Sequence, residues 1–166
     1  MLSKHLFKLS QTAPHEQTEA GYRIKANKDN FPILKGLSLY KLHLEPNGIH
    51  EPHWHVNADE LGYCLKGQVL ITIYDTEDTK ATFLVKAGEC FLIPSGALHH
   101  IENTDQGSAE LVLSFSHELP DDFNLSKVIG SFSNSVLGNT WEKKVRFLKR
   151  LIVLKQPPLQ RFVKVK

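Results

Sequence analysis

Between residue 37 and about residue 118 the chain runs in short apolar segments, most alternating apolar with other positions, and turn residues separate them. "LSLYKLHL" (37–44) ends at the turn "EPNG", and "ELGYCLKG" (60–67) and "QVLITIYD" (68–75) meet at Lys66-Gly67. "ATFLVKAG" (81–88), "ECFLIPSG" (89–96), "HHIENTDQGS" (99–108) and "AELVLSFS" (109–116) follow. Alternation with a period of two marks strands with one buried face. Turns about every 8–12 residues predict an antiparallel sandwich or barrel. No long helical pattern interrupts this stretch, which argues against βαβ units.

The period changes after Pro120. "DDFNLSKVIGSF" predicts a short helix with acids in its first turn. "NTWEKKVRFLKRLIVLK" predicts a second helix, capped by Asn139 with Glu142, whose apolar face carries Trp141, Val145, Leu148 and Ile152. Pro157-Pro158 ends it. The chain thus divides into a loose polar segment (1–20), an all-β barrel (21–118) and a helical tail (119–166).

Composition narrows the class. The 166 residues suit one domain, and 41% hydrophobic with 23% charged residues is ordinary for a soluble globular protein. No apolar run approaches the roughly 20 residues needed to span a bilayer. The N-terminal "MLSKHLFKLSQTAPHEQ" does not read as a signal peptide, so a cytoplasmic protein is expected. Cys64 and Cys90 are too few for a disulfide framework and are expected as buried thiols. The net charge of +2 hides an asymmetry: residues 140–166 hold nine basic residues against Glu142, while the first 139 hold 11 basic and 17 acidic residues, a net of −6. The basic tail has no interleaved aromatic motif, so neither nucleic acid nor membrane is the expected partner.

Scarce imidazoles concentrate in "HEPHWHVNADE" (50–60). His53 and His55 are two apart, so on a strand they share a face and Trp54 takes the other. Glu60 begins the next strand, where it can fold back beside them. His99 follows the turn Pro94-x-Gly96. Three imidazoles and a carboxylate suit an octahedral site with two open positions for Mn, Fe, Co, Ni or Zn. The alternative is that these are unrelated surface and core histidines.

Spacing carries the argument further. Gly48, four residues, His53-x-His55, four residues, Glu60, six residues, Gly67 closely resembles the first motif of the cupin superfamily, departing by one residue after Gly48. Gly88, five residues, Pro94-x-Gly96, two residues, His99, three residues, Asn103 matches the second motif. The resemblance implies an all-β jelly-roll barrel with a short C-terminal helical segment. It also implies His53, His55, Glu60 and His99 as ligands of a divalent metal, manganese first, with Asn103 structural. "PHWHVNADELGYCLKGQVLITIYD" and "HHIENTDQGSAELVLSF" resemble one domain of the oxalate decarboxylase type, which is similar to germins. Relatives clasp a neighbouring barrel with C-terminal helices, which implies at least a homodimer.

The same resemblance marks departures. Where those decarboxylases carry an Arg three residues before the first ligand, this chain has His50, read either as a substrate contact or as a solvated residue. The barrel position of their acid is Leu113, and the nearest lid acids are Glu118, Asp121 and Asp122, of which Glu118 is the catalytic candidate beside His50. Tyr63 and Phe91 are expected in the core, His100 turned away from His99, and Trp54 packed under the C-terminal segment. The expected function is therefore a metal-dependent cupin acting on a small organic acid or other oxygen-bearing metabolite, a lyase or oxidoreductase, with oxalate decarboxylation disfavoured. The alternative is a cupin that binds or senses a ligand without turnover.

Overall fold

A computed structural model describes residues 3–76, 79–141 and the backbone of 162–164. Two antiparallel sheets face each other. In chain order the strands are β1 (Glu16–Thr18), β2 (Gly21–Ala26), β3 (Ser38–Leu44), β4 (Gly48–Trp54), β5 (Glu60–Lys66), β6 (Gln68–Tyr74), β7 (Lys80–Lys86), β8 (Cys90–Ile93), β9 (His99–Glu102), β10 (Ala109–Phe115), β11 (Phe123–Asn124) and β12 (Phe162–Lys164). One sheet has the order β1-β2-β3-β10-β5-β8, and the other β11-β4-β9-β6-β7, with β12 beside the start of β4. This is the jelly roll that the alternating segments predict.

The core lies between the sheets, where strands place every second residue inward. Tyr40, Leu42, Leu44, Leu111, Leu113 and Phe115 face Val69, Ile71, Ile101 and Val85 there. Parity within β5 is set by Glu60, which is buried, so Gly62 and Cys64 also point inward. Tyr63 therefore points outward and is 41% exposed, against the expectation of a core residue. Phe91 is buried as expected, and its ring occupies the space above Gly62, where a Cβ would collide with it. Cys90 is exposed rather than buried, because it sits one position before the inward Phe91.

The sheets extend past both expected edges. Glu16–Thr18 pairs with β2 as a hairpin strand, so the end of the N-terminal segment is ordered against the barrel. After Pro120 the acids do not open a helix. Phe123–Asn124 first pairs with β4, and α1 (Leu125–Ser131) begins only after it, with no acid in its first turn. The second helix, α2 (Asn134–Trp141), starts five residues before the expected Asn139. Its N-terminus is bonded by Ser133, whose Oγ accepts from Val136 N–H at 3.3 Å. Asn139 lies inside this helix and is not a cap. Trp141 is 43% exposed, and Val145, Leu148 and Ile152 lie outside the described residues, as do Glu142 and the predicted stop at Pro157-Pro158. Trp54 stacks on Phe123 at 5.6 Å, under the C-terminal segment as expected.

Candidate metal centre

A bulge in β4 builds one wall of the site. His50 pairs with Ile101 and His53 with His99, so three steps on β4 match two on β9, with Glu51 and Pro52 between. An extra residue reverses strand parity. His50 and His53 therefore both face the interior, with ring centroids 4.1 Å apart. The solvated alternative for His50 is overturned, since it is 1% exposed. His55 follows the end of β4, and its carbonyl accepts from Gly96 N–H at 2.7 Å. The Pro94-x-Gly96 turn thus pins one ligand candidate while starting the path to another, and Gly96 needs its φ of +81° to make that turn. His99 opens β9 in the same sheet, and Glu60 opens β5 in the facing one.

His53, His55, Glu60 and His99 are all buried, and one potential ligand atom from each lies within 4.8 Å of all the others. Each imidazole has an oxygen acceptor at Nδ1. His53 Nδ1 donates to Glu51 O at 2.7 Å, His99 Nδ1 to Ala97 O at 2.9 Å, and His55 Nδ1 to Asp121 O at 3.0 Å. Acceptors at Nδ1 hold the proton there and leave the Nε2 lone pairs to converge. Glu60 Oε2 lies 3.1 Å from His55 Nε2 and 3.4 Å from His99 Nε2. Among the described residues, His53 Nε2 and Glu60 Oε1 are buried without a hydrogen-bond partner. A native interior seldom leaves such atoms unsatisfied. Inward lone pairs, one carboxylate and orphaned atoms fit a divalent metal ion.

The electrostatics agree. Burial pushes His53 well below the ordinary imidazole value, and the neighbouring His50, His99 and His55 push it further. Burial also opposes a charge on His55, but contacts with Asp122 and Glu60 outweigh it and raise its pKa to about 9. Burial favours a neutral Glu60, yet His55 and His99 hold its carboxyl well below the usual range.

The other candidates separate. Glu118 is not brought to the cluster: its carboxylate accepts from Gly36 N–H at 2.8 Å and from Lys28 Nζ at 3.2 Å. Leu113 is fully buried in the core. Asp121 N–H donates to Asn57 at 2.9 Å. His100 turns away and meets Glu102 at 2.8 Å. Asn103 has the structural role expected, donating to the carbonyls of Leu44, Glu45 and Gly107. Sequence reasoning missed Arg23, which is fully buried with Nη2 2.9 Å from Glu16 and 2.8 Å from Asp122. It also missed Asn124, opposite His53 in register, fully buried, with neither amide atom hydrogen-bonded among the described residues. The only signal for Arg23 is a polar residue on the inward parity of a strand, and β11 is too short to give one for Asn124.

A jelly roll with a buried cluster of three histidines and a glutamate defines a cupin. The Cupin family description matches residues 7–145, and the chain belongs to that family. Among curated proteins it is similar to germin-like protein subfamily T member 2 of Arabidopsis thaliana, 34% identical over 122 residues, covering 70% of this chain and 56% of that protein. It is also similar to oxalate oxidase GF-2.8 of Triticum aestivum, 35% identical over 88 residues, covering 51% of this chain and 39% of the other. The chain thus spans about half the length of the curated relatives it matches. Among solved structures, oxalate decarboxylase from Bacillus subtilis superposes with a TM-score of 0.85 at 22% identity, over 95% of this chain and 40% of the other. Another structure of that enzyme, concerned with its Mn(II) centres, superposes with a TM-score of 0.86 at 22% identity, over 96% of this chain and 41% of the other. No helix among the described residues is long and apolar enough to cross a membrane.

Proposed function

We propose that this chain is a metal-dependent cupin whose His53, His55, Glu60 and His99 hold a divalent transition metal, manganese in the first place, with iron, zinc, nickel or cobalt also suited to the donor set. The observation that carries this reading is that one potential ligand atom from each of the four side chains lies within 4.8 Å of all the others, each imidazole being turned by an acceptor at Nδ1. The Mn(II) centres of the similar B. subtilis enzyme favour manganese. A bound divalent metal supplies Lewis acidity toward a carbonyl or carboxylate oxygen. The protein supplies a dry interior and polar groups for orientation, with His50 beside His53 and the amide of Asn124 as the candidates.

The substrate class we propose is a small carboxylate or similar oxygen-bearing metabolite, by analogy with oxalate oxidase and oxalate decarboxylase. Oxalate decarboxylation itself is disfavoured. His50 stands where a permanent cation is expected, Leu113 is a core residue, and Glu118 is engaged with Gly36 and Lys28. Asp122 is held between Arg23 and His55. Proton transfer needs a positioned acid, and these candidates are committed elsewhere. The same observation favours a second reading, a cupin that binds a small acid without turnover. Two further proposals accompany the first. Free thiols at Cys64 and Cys90 support a cytoplasmic setting. The outward, exposed Leu61, Tyr63, Leu65 and Leu92 support a homodimer through that sheet face.

The test is manganese-loaded protein against a panel of small acids, followed by CO2, formate and oxygen consumption. Turnover of an acid other than oxalate supports the enzyme reading. Tight binding of one acid without turnover supports the second. Robust formate release from oxalate would overturn the argument from His50 and Leu113.

A further inference from the structure

We propose that Asp122, clamped by Arg23, is a positioning residue for His55, so that the N-terminal hairpin and the segment after the barrel together set the metal affinity of the site. The inference rests on the metal reading above. It begins with register. β11 pairs antiparallel with β4, Phe123 opposite Trp54 and Asn124 opposite His53, so the next step brings Asp122 to His55. Asp122 Oδ1 lies 2.9 Å from His55 Nδ1, and Oδ2 lies 2.8 Å from Arg23 Nη2. One carboxylate thus bridges the ligand candidate and a buried guanidinium.

Arg23 cannot relax away. It is fully buried, its guanidinium lies 5.2 Å from the centre of the Tyr40 ring, and the same nitrogen meets Glu16 of β1 at 2.9 Å. Lys25 adds a second cation, 3.0 Å from Glu16 and 3.8 Å from Asp122. Two cations and two anions therefore lock one another behind the site.

The contact reaches His55 from the rear. Nε2 of that ring faces Glu60 at 3.1 Å, while Asp122 stands at Nδ1. Asp122 therefore acts through His55 and not on anything bound at the cluster. Among the described residues His53 and His99 have neutral backbone carbonyls at Nδ1, whereas His55 Nδ1 has the Asp122 carboxylate at 2.9 Å beside the Asp121 carbonyl at 3.0 Å. His55 alone of the three has a carboxylate, and a carboxylate at that nitrogen fixes ring orientation and makes the imidazole a stronger donor.

The test compares full-length wild type with Asp122→Asn, Glu16→Gln and Arg23→Lys, using Mn(II) and Co(II) as probes. Affinity is read by competition with a fluorescent chelator, ligand geometry by the Co(II) visible spectrum, and folding by circular dichroism. Asp122→Asn is expected to bind metal about 10–100-fold more weakly, with a changed Co(II) spectrum and an unchanged fold. Glu16→Gln removes the other partner of Arg23 without touching His55. It is expected to lower thermal stability while moving affinity less than about threefold. Should Asp122→Asn not fold, Arg23→Lys is decisive, because it keeps a cation but shortens the reach that lets Nη2 meet both Glu16 and Asp122, and an affinity drop beyond about threefold is expected. Wild-type affinity and spectrum in Asp122→Asn, or an equal affinity loss in Glu16→Gln, would overturn the proposal alone. Failure of the wild type to bind either ion would overturn the metal reading with it.

Discussion

Arg23→Met tests whether the buried charge cluster stabilises the fold. The side chain is fully buried and carries ion pairs to Glu16 and Asp122 at 2.9 and 2.8 Å. Removing one partner of a buried ion pair costs about 3–5 kcal/mol, because the remaining charge stays desolvated. Lys25 remains close to both acids, and methionine retains some packing on Tyr40, so the low end applies, about 3 kcal/mol. For a domain of this size that corresponds to a fall in Tm of about 6–12 °C. The assay is urea denaturation of metal-free protein, wild type against variant, repeated as a function of pH. Burial, the largest influence on Glu16, opposes its ionisation, but Arg23 and then Lys25 overcome it and lower its pKa from the ordinary 4.5. A depressed carboxyl contributes its stability in full above its unfolded value and loses it as pH falls through its folded value. The gap between the two proteins is therefore widest above about pH 5 and narrows in acid below 4.5. A gap under about 1 kcal/mol at neutral pH, or one that is constant down to pH 3, refutes the assignment.

Gly62→Ala places a methyl group against the Phe91 ring and is expected to cost about 1–3 kcal/mol in urea denaturation, part of which Phe91→Leu restores in the double variant. Glu118→Gln is expected to leave metal content and ligand binding unchanged, while its effect on Tm disappears as pH falls from 4.5 toward 2, because bonds from Gly36 N–H and Lys28 hold that carboxyl at about 2. Loss of ligand binding in this variant would return Glu118 to the site. Leu61→Lys with Leu92→Asp is expected to sediment as a monomer with its metal retained, and an unchanged sedimentation coefficient would remove this face as the dimer contact.

The strands around the site were legible because their alternation is regular and their turns carry Gly or Pro. His53 and His55 share a face by parity alone, and the two cupin motifs carried Glu60 and His99 into the same set. His50 was not legible, because the bulge at Glu51-Pro52 inverts parity and no local signal announces it. Tyr63 was misplaced because the large apolar residues of "ELGYCLK", Leu61, Tyr63 and Leu65, all share the outward parity; the buried Glu60 is what assigns the faces. Asp122 read as a helix acid because β11 is only two residues long, too short to carry a period. Its partner Arg23 is 99 residues away in the chain, a distance over which sequence pattern says nothing about pairing. The strand that holds Glu16 is only three residues long and polar.

The central claim is that the four-residue cluster holds a metal, and elemental analysis tests it most directly. Full-length protein is expressed without added metals, exchanged into metal-free buffer and compared with the His53→Ala, His55→Ala, His99→Ala triple variant, both shown to be folded. The account predicts one divalent transition metal bound per wild-type chain and none in the variant, since the convergent donors are gone. A wild type that neither retains nor takes up a stoichiometric metal, or a triple variant with wild-type occupancy, would contradict it.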